Sequence, residues 1–233
     1  MLDEHDTESE ASPLGRRERK KQATRLALKA AALDLVAERG FAHVTVEDIC
    51  DVVDVSSRTF FNYFASKEDC VVGADPELIL VMTSQLLALP AELSPLEALR
   101  EVLFAKIRAI EEDIDLSGES HVVWLRRMAV VRSQPEVLAA YASHSASVEQ
   151  ALSDALVTRL GGDEANRLYA SIVTTSAMGV MRAVGTCSSP EGGTASLVEL
   201  ATRAFDALAD GLRFEPSLSR ANEPVLSTPR VAL

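Results

Sequence analysis

The 233-residue chain is 47% hydrophobic and 5% aromatic, with a formal net charge of −12. The hydrophobic share is enough for a sizeable core, and scarce aromatics beside abundant Ala and Leu favour helix over sheet. The three cysteines, Cys50, Cys70 and Cys187, are far apart and odd in number, which argues against a disulfide framework or a zinc site and predicts small buried residues in a reducing compartment.

Residues 1–15 are polar, acidic and interrupted by Pro13 and Gly15, and read as a disordered lead. A basic arm follows: Arg16, Arg17, Arg19, Lys20 and Lys21, with Arg25 beyond. Positive charge at the start of a helix opposes the helix dipole, so another reason for it is wanted. Contact with nucleic-acid phosphates supplies one, and a solvated helix start is the plainer alternative. The first helix is expected from Arg19 to Arg39, with Leu28, Ala32, Leu35 and Val36 on its apolar face, Gly40 as its stop and Phe41 packing behind it.

Thr45 to Lys67 reads as two short helices joined by a tight turn. Thr45 is an N-cap with Asp48 at N3, and Ile49, Val52 and Val53 repeat at helical spacing. Asp54 suits a left-handed turn, and Val55 plugs the core from it. Ser56 or Ser57 caps a second helix that carries Arg58, Thr59, Phe60, Phe61, Asn62 and Tyr63 and closes at Phe64. Phe60 and Phe64 share the inward face, and Phe61 falls off it. Ser57, Arg58, Thr59 and Asn62 suit base edges or phosphates, and Tyr63 can reach a phosphate. This is the plan of a helix-turn-helix, whose second helix enters the major groove. A helical hairpin that never touches DNA has the same spacing, and the acidic balance is that alternative's best support.

Ser66 caps a fourth helix. Beyond it the chain turns to long apolar helical patterns. Asp75-Pro76-Glu77 starts a helix to about Leu89, and Ser94-Pro95 one to about Ile114, with a break at Leu116-Ser117-Gly118. His121 to Val131 is a short helix, and Gln134-Pro135-Glu136 opens a long one to Leu160, stopped by Gly161-Gly162. Asp163 starts a helix to Val184, residues 188–193 form a loop, and Thr194 starts a last helix to Leu212. Residues 215–233 read as a disordered tail. No signal peptide or bilayer-length apolar run is present, so a soluble cytoplasmic protein with no membrane partner is expected.

The stretch LDLVAERGF at 33–41, then TVEDIC, then DVSSRTFFNYFASKED resembles the N-terminal domain of TetR-family transcriptional regulators, over about residues 24–72. RTFFNYF is similar to the actinobacterial subgroup of the mycofactocin-system regulator. The resemblance implies an all-α fold: a helix-turn-helix domain over 16–72 and a helical ligand-binding and dimerisation domain over 73–214. It implies a homodimeric repressor, bound to palindromic double-stranded DNA and released by a small-molecule effector, with acyl-CoA-like ligands suggested by the subgroup. An acyl-CoA-responsive activator and a protein-interaction module are the alternatives. The DNA contacts expected are Arg16, Arg17, Lys20, Lys21, Thr45, Ser56, Ser57, Arg58, Thr59, Phe61, Asn62, Tyr63 and Lys67. Lys67 matches a phosphate-contacting position of the family. Phe61 stands where a phosphate-touching tyrosine is common, Asp54 where a turn glycine is common, and Cys50 where alanine is common.

In the C-terminal part, Ala170, Ile172, Val173, Ala177, Val180 and Met181, with Leu197, Leu200, Ala204 and Leu208, suit either an intrachain core or the family's four-helix dimer interface. Candidate effector contacts are Phe104, Trp124, Met128, Tyr141 and Met178, with Arg108, Arg127 and Arg182 for an anionic group. Each is also explained as ordinary core or solvated charge. The histidines His5, His43, His121 and His144 do not cluster, and nucleophile-elbow, P-loop and zinc-protease motifs are absent. No enzyme activity, cofactor or metal is expected.

Overall fold

The computed structural model describes residues 13–112, 120–187 and 196–212. Most of the expected disordered lead, the break at Leu116-Ser117-Gly118, the loop at 188–193, Thr194 and the tail at 215–233 lie outside the described residues. All regular structure among the described residues is helical: α1 (Pro13–Arg39), α2 (Val46–Val53), α3 (Ser57–Phe61), α4 (Lys67–Val72), α5 (Pro76–Ala88), α6 (Pro95–Glu111), α7 (His121–Ser133), α8 (Pro135–Arg159), α9 (Arg167–Cys187) and α10 (Leu197–Ala209), with short 3-10 turns at Phe41–His43 and Glu164–Asn166.

Local chemistry explains the boundaries and the places where the expected ones shift. α1 opens at Pro13 rather than Arg19, because the N–H that proline lacks has no intrahelical partner in the first turn anyway. Asp163 caps the 3-10 turn at Glu164–Asn166, accepting from the Ala165 N–H at 2.9 Å, so α9 starts only at Arg167. Ser196, in a reciprocal box with Glu199, starts α10 in place of Thr194. Ser94 and Glu97 form the same box, ahead of proline at the first position of α6. Gly40 ends α1 at φ 82°, ψ 151°, a conformation that only glycine adopts at low cost.

Two apolar clusters hold the chain together. One centres on α5, α6, α8, α9 and α10, through Leu86, Leu99, Leu152, Leu156, Ala177 and Phe205. The other packs Leu28 and Val36 of α1 with Ile49, Phe60, Cys70 and Val71. It does not stop at α4, because Met128, Val130 and Val131 of α7 and Val137 of α8 belong to it. The helix-turn-helix therefore rests on a platform made by α7 and α8.

Charged groups are buried at that junction. Val71 and Ala74 lie at the end of α4, where backbone carbonyls lack intrahelical partners. Arg127 of α7, 4% exposed, donates to the Val71 carbonyl at 2.8 Å, and Arg25 of α1 donates to the Ala74 carbonyl at 2.8 Å. Asp75 is buried between Arg25 at 3.2 Å and Lys29 at 3.7 Å. Gly73, at φ 73°, provides the left-handed step between α4 and α5. A Cβ there would lie 2.3 Å from Nη1 of Arg127, so the guanidinium fills the space that a side chain would need.

Candidate nucleic-acid interface

α2 and α3 are built by their caps. The Thr45 hydroxyl accepts from the Asp48 N–H at 3.1 Å, and the Asp48 carboxylate accepts from the Thr45 N–H and hydroxyl, each at 2.7 Å. These bonds to Thr45 hold the Asp48 carboxyl below its usual range. Asp54 ends α2 at φ 56°, ψ 51°, the left-handed turn expected of it. Ser56, not Ser57, caps α3, accepting from the Thr59 N–H at 3.1 Å.

Phe60 fixes how α3 sits. It is 0% exposed, with its ring centroid 5.8 Å from that of Phe64 and 5.4 Å from that of Phe61. Burying such a ring contributes about 1.5–3 kcal/mol. The α-helix ends at Phe61 rather than Phe64, because tighter bonds take over: the Asn62 N–H donates to the Thr59 carbonyl at 3.1 Å and the Tyr63 N–H to the Phe60 carbonyl at 2.9 Å. Ser56, Arg58, Phe61 and Asn62 are exposed around this short helix, and Ser57, Thr59 and Tyr63 are half-buried. Arg58 lies in its first turn, the part of a reader helix that meets base edges. Val52, expected to pack inward, is 62% exposed on α2, and Ile49 and Cys50 carry that helix's burial.

Other expected DNA contacts are engaged within the chain. The Lys67 ammonium donates to the carbonyls of Phe41 at 2.8 Å and Val44 at 2.5 Å and lies 3.8 Å from the centre of the Phe41 ring. It ties the loop after α1 to α4 with two of its three N–H groups. Thr45 spends its hydroxyl and its N–H on Asp48, so a bond to phosphate from either would break the cap. The Thr59 hydroxyl is 2.9 Å from that of Ser56. Lys21 is paired with Glu77 at 3.0 Å, an exposed contact of little strength. Arg17 and Lys20 are exposed on α1, and the side chain of Arg16 lies outside the description. Arg25, read as the end of the basic arm, is buried and stacks over Phe64 at 5.0 Å. Arg25 and Lys29, four apart on one face of α1, would repel each other without the Asp75 carboxylate between them.

The effector candidates separate. Met128, Tyr141 and Arg182 line one cleft of about 320 Å³ between α7, α8 and α9. Phe104 and Met178 belong to the packed core, with Phe104 5.6 Å from Phe205 in an edge contact. Trp124 packs between the two apolar clusters, and Arg108 is exposed beside Glu101 at 3.7 Å. Arg127, taken as an effector contact or a solvated charge, is not solvated: it is buried and caps the end of α4. Of the cysteines, Cys50 and Cys70 are buried as expected, whereas Cys187 is exposed at the end of α9. Among the described residues, no His, Cys, Asp and Glu side chains gather as a metal site, and no helix is long and apolar enough to cross a membrane.

The chain resembles known proteins in sequence. Residues 28–74 match the family described as bacterial regulatory proteins, tetR family, and residues 93–213 match the MftR C-terminal domain. The chain is similar to the HTH-type transcriptional regulator TcmR of Streptomyces glaucescens, at 32% identity over 69% of this chain and 71% of that protein. It is also similar to the mycofactocin biosynthesis transcriptional regulator MftR of Mycobacterium tuberculosis, at 26% identity over 78% of this chain and 87% of that one. Among solved structures, a TetR-family regulator from Rhodococcus sp. aligns at a TM-score of 0.49 and 15% identity, covering 80% of this chain and 97% of that one.

Proposed function

Because the chain belongs to the TetR family of bacterial regulatory proteins, we propose that it is a homodimeric repressor that leaves a palindromic operator when a small organic effector binds its C-terminal body. Residues 16–72 form the DNA-binding part and 73–214 the regulatory part. The observation that carries the reading is the outward face of α3, where Arg58, Phe61 and Asn62 are exposed around a fully buried Phe60. Arg58 reads a base edge, guanine by preference, and Phe61 contacts a thymine methyl. Ser57, Asn62 and Tyr63 supplement them, and Arg17 and Lys20 on α1 supply phosphate attraction.

One five-residue reader covers one half-site, so a second copy is needed to place two readers about 34–36 Å apart. α9 offers a face for that copy. Ala170, Ala177 and Val180 turn to the chain's own core, while Leu168 and Ile172, one turn apart, are 72% and 56% exposed. An effector that prefers the conformation with mis-spaced readers releases the operator by population shift.

Fluorescence anisotropy on a labelled duplex from upstream of the protein's own gene tests this, with salt titration and Arg58→Ala in parallel. Wild type is expected to bind at nanomolar concentrations with a clear salt slope. Losing a bidentate base contact of about 1–3 kcal/mol weakens the mutant about 5- to 150-fold. A genome-wide fragment selection that recovers no preferred sequence would leave the protein-interaction module as the better reading.

A further inference from the structure

We propose that the cleft between α7, α8 and α9 is the effector site, and that it takes a small apolar monocarboxylate anchored by Arg132. The inference rests on reading the C-terminal body as an effector domain. Met128, Val131, Leu138 and Ala142 supply apolar wall, on a cleft of about 320 Å³. That volume lies at the small end of the range for organic-ligand sites.

The charges at the mouth decide the class of ligand. Arg132, Arg182 and Glu149 all line the cleft. Glu149 is already engaged, accepting from the Thr175 hydroxyl at 2.6 Å and from Arg182 at 3.4 Å. That pairing offsets one arginine. Arg132 is exposed and uses one guanidinium nitrogen, Nη1, on the Gly185 carbonyl at 3.1 Å. Among the described residues its other N–H groups make no hydrogen bond, and a guanidinium presents two parallel donors to a carboxylate. The balance is one positive charge over an apolar floor, which suits an amphipathic anion and disfavours an amine.

The chain carries its own reporter. It has one tryptophan, Trp124. A Cβ added to Gly185, which lines the cleft, would lie 3.8 Å from the indole ring. Filling the cleft therefore changes the surroundings of the sole tryptophan.

The test is a tryptophan-fluorescence titration of the full-length protein, without DNA, with three near-isosteric probes: 4-phenylbutyrate, its neutral amide and 4-phenylbutylamine. The anion should bind at least fivefold more tightly than the amide, and the amine more weakly still. Arg132→Gln should abolish the preference for the anion. Ala142→Phe, on the exposed side of α8, should block the cleft and remove binding, with far-UV circular dichroism checking that both variants stay folded. Equal affinity for anion and amide, tightest binding of the amine, undiminished binding in Ala142→Phe, or no response to any probe up to 10 mM would each overturn the assignment. Because no operator is present, a failure here leaves the repressor reading standing, and a failure of the operator assay leaves this result intact.

Discussion

The contact between Arg127 and Gly73 makes a quantitative prediction about how the reader is joined to the body. In Gly73→Ala, a side chain enters a left-handed position at φ 73°, which costs about 1–2 kcal/mol by itself. The new Cβ also meets the Arg127 guanidinium at 2.3 Å and displaces it from the Val71 carbonyl. A charge-assisted bond to a buried carbonyl contributes about 1.5–3 kcal/mol, so the variant should lose about 2.5–5 kcal/mol in total. Arg127→Ala alone should lose about 2–4 kcal/mol, from the same bond and the packing of the side chain. With the guanidinium already gone, Gly73→Ala should cost only its backbone strain. The double variant should therefore be more stable than the sum of the singles by about 1.5–3 kcal/mol. Urea unfolding followed by far-UV circular dichroism, with a common m-value, measures all four corners of the cycle. Additivity within about 0.5 kcal/mol would refute the claim that the two positions share one space.

Three further predictions follow from single sites. Asp54 tolerates its left-handed turn at φ 56°, so Asp54→Gly should change stability by less than about 0.5 kcal/mol, whereas Asp54→Val should cost at least about 1–2 kcal/mol by the same urea assay. Burial pushes the Cys70 thiol up to about 12 and raises that of Cys50, while Cys187 is exposed, so a chromogenic disulfide reagent should titrate one fast thiol in the native protein and three in urea. Burial lowers the pKa of His144 despite the opposing pull of Asp69 and Asp75, with Lys29 and Arg127 acting in the same direction as burial. The folded state then binds fewer protons than the unfolded state just below the ordinary histidine range, near 6.5. Stability should fall as pH drops below about 6.5, and His144→Gln should flatten that slope in pH-dependent urea midpoints.

What the sequence made legible was whatever depends on neighbours a few residues apart. The Thr45–Asp48 box, the left-handed Asp54 and the inward pair Phe60 and Phe64 are local events, written in spacing and residue type. The candidate effector residues were far less legible, because burial against a distant helix leaves no local mark. Arg127 looks like any helical arginine, and its partner, the Val71 carbonyl, lies 56 residues away. Trp124 drew attention as the sole tryptophan, yet it packs between the two clusters rather than lining the cleft. Arg132, which faces the cleft, had no signal beyond its place in the last turn of α7. Lys67 shows a third case, in which a position matched by resemblance to a phosphate contact spends two of its N–H groups inside the chain.

One physical device recurs where α4 and α5 meet the rest of the chain. The end of α4 is capped by Arg127 from α7 and Arg25 from α1. The end of α5 is capped by Arg159 from α8, which donates to the carbonyls of Leu89 at 2.7 Å and of Pro90. Each arginine satisfies carbonyls that a helix leaves open and places positive charge where the helix dipole is negative. α5 is thus held at one end against the reader and at the other against the body. Moving α4 relative to α7 breaks the Arg127 bond to the Val71 carbonyl, and leaving a buried carbonyl unpaired costs about 1–3 kcal/mol. That is the scale of a typical allosteric coupling energy. On the proposed mechanism, a ligand in the cleft between α7, α8 and α9 would need only that much preference for one arrangement to move the readers, and the buried contacts should keep the coupling nearly independent of salt while DNA binding itself stays steeply dependent on it.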